Sequence, residues 1–159
     1  MVVVRRILMA TDFSDYSNEA LDHAVYLAQN LEADLYLLHV FEPPFFSHAG
    51  VAPSVQREVH HWIEQNKNEA SQKLKSLVEE IQPGGVKVST IFKEGVPFFE
   101  ILKAAGEISA DLIVLGTHGR TGLPHVLLGS VAERVVRKSS CPVLTVRPKA
   151  LAGQKEKRQ

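Results

Sequence analysis

The fold of this chain is decided by the stretch 111-DLIVLGTHGRTGLPHVLLGSVAERVVR-137. Its opening run, Asp111 to Leu115, is mostly aliphatic, which is typical of a parallel strand buried on both faces. Gly116 ends this predicted strand, and a loop containing further glycines follows it. The stretch therefore predicts a strand and then a glycine-rich turn.

A helix is predicted directly after that loop. Ser130 and Glu133 stand at the S-x-x-E spacing of a capping box, in which the serine oxygen accepts from the Glu133 N–H. Apolar residues at helical spacing continue the pattern: Val131, Ala132, Val135 and Val136. We therefore expect a helix whose amino end is capped by Ser130.

A strand, a glycine loop and a helix N-terminus in this order form an anion site. Glycines let a backbone approach a ligand and adopt positive φ, while free helix N–H groups and the helix dipole favour phosphate. The loop has neither the G-x-x-x-x-G-K-[ST] nor the G-x-G-x-x-G spacing of the two commonest nucleotide loops. The alternative is that the glycines only turn the chain and that Ser130 only caps a helix.

The spacing present here is G-x2-G-x9-G-S, formed by Gly116, Gly119, Gly129 and Ser130. This pattern after a buried strand resembles the ATP-binding signature of the universal stress protein family. The resemblance extends from Arg6 to Val146. It implies an adenine nucleotide alpha hydrolase-like fold and a bound ATP, with AMP or ADP as other candidate ligands.

Composition limits the remaining possibilities. The 159 residues suit one domain, and Lys plus Arg equals Asp plus Glu at 18 each, so the chain lacks the overall basic field of a nucleic-acid binder. Cys141 is the only cysteine, which favours a reducing compartment and a structural role for the thiol. Neither a signal peptide nor a membrane-spanning run is recognisable, so we expect a cytoplasmic protein without membrane contact.

Strand patterns alternate with helix patterns along the chain, which predicts a doubly wound sheet of five parallel strands with helices on both faces. The predicted strands cover 4–11, 33–40, 86–92, 111–115 and 142–148. The helices between them begin near a Ser14 or Ser17 cap, near Ser54, at Pro97 and at Ser130. Order 3-2-1-4-5, implied by the family resemblance, brings Asp12 beside Gly116 at the ligand crevice.

The family resemblance also assigns the nucleotide contacts. Glycines and Ser130 of the loop would contact phosphate and ribose, and the Val40 backbone would recognise adenine. Asp12 would face ribose, phosphate or a bound Mg²⁺, although on local signal it could equally be a turn or capping residue. The full predicted set is Thr11, Asp12, Val40, Gly116, Gly119, Arg120, Gly129, Ser130 and Val131.

The histidines are less informative. We interpret His118 and His125 as solvated loop residues and His39 as a packed strand residue. His60 and His61 are adjacent on a predicted helix and point in different directions, which argues against a metal pair. No catalytic residue is assigned.

Without a Walker lysine, nucleotide binding is better supported than turnover. A stress-response or regulatory ATP-binding protein is therefore the first hypothesis. The alternatives are a slow ATPase or nucleotidyl-transfer enzyme using the same crevice, and a scaffold with a vestigial loop.

Two further expectations concern the ends of the chain. Strand 143–146 is bracketed by prolines, as suits a sheet edge, and an unpaired edge favours pairing with a second copy. The family resemblance points to the same homodimer. Residues 1–148 are predicted to form the nucleotide-binding domain, and 149–159 a disordered, charged tail.

Overall fold

The computed structural model describes residues 1–44, 50–119 and 127–149. Strands and helices alternate as predicted, with a short 3₁₀ turn, Gln82–Gly84, after the second helix. The strands are β1 Arg6–Ala10, β2 Asp34–Phe41, β3 Val88–Glu94, β4 Leu112–Gly116 and β5 Val143–Val146. The helices are α1 Asp15–Leu31, α2 Pro53–Ile81, α3 Pro97–Glu107 and α4 Ser130–Lys138.

The five strands form one sheet in the order β3-β2-β1-β4-β5, and every neighbouring pair is parallel. This confirms the expected order and places β3 and β5 at the edges. Successive strands are added on one side of β1 up to β3 and on its other side from β4 onward, so the strand order reverses between β1 and β4. Ligands bind such sheets at this point, beyond the carboxyl ends of the strands.

Each sheet face has its own core because side chains alternate along the buried strands. On one face Ile7 and Met9 pack under α1 and α2, and on the other Leu8 packs with residues of α3 and α4. All three side chains are fully buried. Helices therefore cover both faces, as predicted.

Local sequence explains where two of the helices begin. The Ser14 hydroxyl caps α1 by accepting from the Ser17 N–H at 3.3 Å, so the first of the two candidate caps is used. Pro97 stands at the first position of α3, where its missing N–H costs nothing.

In the part of the chain that the structure describes, no helix is both long enough and apolar enough to span a lipid bilayer. The predicted site residue Arg120 and the loop residue His125 lie outside the described residues, as does the predicted tail from residue 150 onward. Lys149, the first residue of that tail, is described, and its N–H donates to the Glu19 carboxylate at 3.1 Å.

Candidate functional site

A cleft of about 710 Å³ opens at the carboxyl edge of the sheet, beside the ends of β1 and β4. This volume lies within the range of small-molecule and cofactor pockets. Eight of the nine predicted site residues line the cleft: Thr11, Asp12, Val40, Gly116, Gly119, Gly129, Ser130 and Val131. The topology thus gathers residues from both ends of the sequence at one place.

Asp12 has two roles in this geometry. Its Oδ1 accepts from the Ser14 N–H at 3.0 Å and from the Ser14 hydroxyl, which is a turn-forming arrangement. A Cβ added to Gly119 would lie only 2.8 Å from Asp12 Oδ2. The same carboxylate therefore stabilises the turn before α1 and borders the glycine loop, so the turn and site interpretations are compatible.

Buried hydrogen bonds fix the turn that carries Asp12. The Thr11 hydroxyl accepts from the Phe13 N–H at 3.0 Å and lies 3.1 Å from Ser17 Oγ, which donates to Ser14 O. The Thr11 carbonyl lies 2.9 Å from His39 Nδ1, so that ring nitrogen is the donor. Thr11 is consequently held from both its side chain and its backbone.

Phe13 has a left-handed backbone, with φ of 62°. For a bulky residue this conformation costs on the order of 1 kcal/mol and persists only where neighbours hold it. The Phe13 ring packs 4.5 Å from that of His39, which confirms His39 as a packed strand residue. The strained position directly follows Asp12, at the rim of the cleft.

The loop glycines are required for close approach rather than for positive φ. Among the described glycines, positive φ occurs at Gly50, Gly85 and Gly95, so the expectation of positive φ is wrong for the three described signature glycines. A Cβ on Gly116 would lie 2.9 Å from Tyr16 O, and one on Gly129 would lie 3.0 Å from Thr117 O. Both contacts are with protein backbone.

The predicted capping box is not formed. Gly129 is the N-cap of α4, and the Glu133 N–H donates to Gly129 O at 2.9 Å. Ser130 is the first helical residue, and among the described residues no side chain caps this helix. Glu133 instead accepts from Arg137 at 2.8 Å, an i,i+4 pair. The reason is one of register: α4 begins at Ser130, one residue earlier than the start at Val131 that an N-cap serine at position 130 needs.

This register leaves the N–H groups of Ser130, Val131 and Ala132 without a carbonyl partner inside α4, since the first intrahelical bond comes from Glu133. All three residues line the cleft. Free helix N–H groups together with the positive end of the dipole favour an anion at this position.

Several lining residues were not predicted. His118 is buried, with Nδ1 3.0 Å from Thr117 Oγ1 and its ring 5.6 Å from that of Tyr16, so its interpretation as a solvated loop residue is wrong. Trp62 and Asn66 reach the cleft from α2. Their positions on a long, mostly polar helix carried no local signal.

Charge in the described part of the cleft is acidic, because its lining includes the carboxylates of Asp12 and Glu42 but neither lysine nor arginine. The described residues contain no group of three or more His, Cys, Asp or Glu side chains able to hold a metal. One carboxylate, however, is sufficient where ligand phosphates complete the coordination of Mg²⁺.

Comparisons with known proteins identify the family of this chain. The profile described as the universal stress protein family matches residues 4–147, almost the whole chain. The chain belongs to the universal stress protein family. Among universal stress proteins, MJ0531 of Methanocaldococcus jannaschii is 41% identical over 144 residues, covering 90% of this chain and 82% of the relative. YxiE of Bacillus subtilis is 38% identical over 146 residues, covering 89% of this chain and 98% of the relative.

Solved structures of universal stress proteins share the fold. Protein MJ0577 superposes with a TM-score of 0.79 at 34% identity, covering 93% of this chain and 99% of that one. UspA from Lactobacillus plantarum superposes with a TM-score of 0.82 at 24% identity, covering 92% of this chain and 100% of that one. The sheet order described above is therefore that of a family fold.

Proposed function

We propose that this universal stress protein binds an adenine nucleotide, ATP in the first place, in the cleft at the carboxyl edge of its sheet. One observation carries the proposal: the free N–H groups of Ser130, Val131 and Ala132 line the same cleft as Asp12 and Val40. Amides at a helix N-terminus suit phosphates, and Val40 supplies an apolar contact for a base.

Relatives of the same fold hold ligands of this class. One solved universal stress protein is in complex with cAMP, and one from Archaeoglobus fulgidus is in complex with dAMP. Their identities to this chain are 24% and 22%, so they establish only the fold. The argument for a nucleotide here rests on the chemistry of the cleft.

Asp12 is the proposed partner of a Mg²⁺ ion that arrives with the phosphates. A carboxylate facing a triphosphate needs either a cation between them or a ribose hydroxyl to accept from. Asp12 Oδ1 is engaged by Ser14, so the carboxylate orientation is set before the ligand binds. Gly119 borders the other oxygen, and Arg120, outside the described residues, remains a proposed phosphate contact.

The proposed role is regulatory: a cytoplasmic stress-response protein whose shape or partner responds to bound nucleotide. Turnover is the less favoured reading, because stabilising a transferring phosphoryl group requires positive charge, and the described lining residues include neither lysine nor arginine. Phosphate release above background from a protein with bound ATP would instead establish a slow ATPase.

Isothermal titration with ATP, with and without MgCl₂, tests the proposal. The protein is first unfolded and refolded to remove any bound nucleotide, and its helical content is checked by circular dichroism. We expect saturable heat at one site per chain, and weaker heat with GTP. Absence of heat at tens of micromolar protein would contradict the proposal.

We also propose a homodimer that pairs β5 with its counterpart in a second copy. Val143–Val146 is an edge strand hydrogen-bonded to β4 on one side, and pairing would satisfy its other side. Light scattering should give twice the chain mass. Thr145→Pro should shift the mass toward the monomer, whereas a monomer mass for the parent protein at high concentration would refute the pairing.

A further inference from the structure

Helix α2 contributes an aromatic side chain that the proposed function does not yet use. Trp62, the only tryptophan of the chain, lines the cleft and is 49% exposed. Asn66, one turn further along α2, also lines the cleft and donates from Nδ2 to Trp62 O at 2.8 Å. An indole half exposed inside a nucleotide-sized cleft calls for a physical explanation.

The position of Trp62 follows from the core-facing stripe of α2. Trp62, Asn66, Ala70 and Leu74 are spaced four residues apart and therefore share one side of the helix. Ala70 and Leu74 are 7% and 2% exposed and pack towards the sheet. At 3.6 residues per turn this row drifts by about 40° per step, so it winds gradually around α2 from the core towards the cleft.

An ion pair marks where α2 passes the edge of the sheet. Lys67 Nζ lies 2.7 Å from Glu94 Oε2, and Glu94 is the last residue of β3. At 1.5 Å per residue, Trp62 lies about 7–8 Å further along the helix axis, beyond the strand ends. Glu94 also pairs in register with Phe41 of β2, so this part of α2 stands beside the end of β2.

Sheet order separates the two ends of the cleft. The phosphate-binding N–H groups belong to α4, which follows β4, while Val40 and Phe41 belong to β2 on the opposite side of β1. Trp62 therefore lies at the Val40 end of the cleft, where the proposed function locates the base. The α4 N–H groups lie on the other side of β1, so we assign no phosphate contact to Trp62.

We propose that Trp62 is a base-contacting residue, whose indole packs on the nucleobase that Val40 contacts from the sheet side. The inference rests on the proposed nucleotide site. Aromatic side chains stack on any base, since every base presents a π face, so Trp62 contributes affinity for nucleotides without choosing among the bases. The preferred ligand is then a base-bearing phosphate rather than a free polyphosphate.

Because no other tryptophan is present, the fluorescence of Trp62 is a direct readout in the unmodified protein. ATP should change the emission with the same midpoint that isothermal titration gives. Tripolyphosphate, which carries the charge without the base, should bind weakly and leave the emission unchanged. ATP binding that leaves the tryptophan emission unaltered would count against the inference.

Three variants complete the test by isothermal titration with ATP and with tripolyphosphate. Trp62→Ala should weaken ATP binding about tenfold and leave tripolyphosphate binding unchanged, while Trp62→Phe, which retains a ring, should stay within about threefold of the parent. Tyr26→Ala removes an aromatic side chain that is 64% exposed and does not line the cleft, so it should have no effect.

The possible outcomes separate the two proposals. If the parent binds ATP and Trp62→Ala binds it equally well, Trp62 makes no base contact and the nucleotide site stands. If Trp62→Ala weakens ATP and tripolyphosphate alike, the loss is structural and the base contact is refuted. If the parent binds no nucleotide, both proposals fall. If Trp62→Ala does not fold, ATP and tripolyphosphate titrations of Trp62→Leu, together with the fluorescence of the parent protein, decide whether Trp62 contacts the base.

Discussion

Two aspartates at opposite ends of the same pair of strands have different surroundings. Asp111 precedes β4 at the amino edge of the sheet, and its Oδ2 accepts from the N–H groups of Arg5 and Arg6 at 2.8 and 2.9 Å. Asp12 follows β1 at the carboxyl edge, where Oδ1 accepts from Ser14 and Oδ2 borders Gly119. One carboxylate joins two strands, while the other borders a cleft.

The difference shows how a parallel sheet separates stability from binding. At the amino edge the Arg5 and Arg6 N–H groups bind Asp111 and hold the pKa of its carboxyl below the ordinary value. At the carboxyl edge the free N–H groups of α4 face the cleft instead of a side chain. Closely similar chemical groups therefore stabilise the fold at one edge and are available to a ligand at the other.

The largest effect is expected from adding a methyl group at the carboxyl edge. In Gly116→Ala the new Cβ would lie 2.9 Å from Tyr16 O, so the backbone of α1 must shift. We expect the free energy of unfolding to fall by about 2 kcal/mol, as for other overpacked sites. Urea denaturation measures this loss, and an unchanged midpoint would show that the backbone around Gly116 and Tyr16 can accommodate a methyl group without cost.

Asp12→Asn should separate the two roles of Asp12. The amide oxygen can still accept from the Ser14 N–H, so the turn before α1 is retained, but the negative charge is lost. Affinity for Mg-ATP should fall about tenfold, roughly 1.4 kcal/mol, with little change for ATP without magnesium. Asp15→Asn, an exposed first-turn residue outside the cleft, is the matched control. Equal losses in both variants would contradict the assignment.

Asp111→Asn should affect stability and leave ATP binding unchanged. Removing the charge that accepts from Arg5 and Arg6 should lower the free energy of unfolding by about 1 kcal/mol at pH 7. Because the folded-state pKa is depressed, this contribution is complete above the unfolded pKa of about 3.9 and is lost as pH falls through the folded value. Urea curves at pH 7 and pH 3 should therefore differ more for the parent than for the variant.

Gly106→Ala is the smallest change and sharpens the contrast between glycines. Gly106 lies near the end of α3, towards the amino edge, and a Cβ there would meet no atom within 4 Å. Alanine should stabilise the helix by about 0.5 kcal/mol, since glycine carries an entropic cost in helices. If Gly106→Ala destabilises the protein as much as Gly116→Ala does, the close contact with Tyr16 O does not explain the effect of Gly116→Ala.

Most of the fold was predictable because its information is local. Runs such as Leu112–Gly116 are short and apolar, and helix stripes such as that of α2 repeat at helical spacing. The order of the strands could not be predicted from local patterns, because it depends on contacts between segments that are distant in the sequence. The family resemblance supplied it. The same resemblance led to the residues that line the cleft.

What sequence reasoning missed depends on geometry that spacing does not encode. The sequence around Ser130 and Glu133 is compatible with a helix that begins at Ser130 or at Val131. The structure has the first of these, with Gly129 as the N-cap and in close contact with Thr117 O. Trp62 reaches the cleft only because α2 extends past the end of β3. The hydrophobic pattern of α2 does not show how far the helix extends relative to that strand. Such misses cluster at the cleft.

Backbone amide shifts measured by NMR during titration with Mg-ATP test the central claim most directly. The account predicts that the largest changes fall on Gly119, Ser130, Val131 and Ala132, while the amides of Arg5 and Arg6, which are bound to Asp111, stay unchanged. Shifts concentrated away from the α4 N-terminus at saturating ATP, or equal at both edges of the sheet, would contradict it.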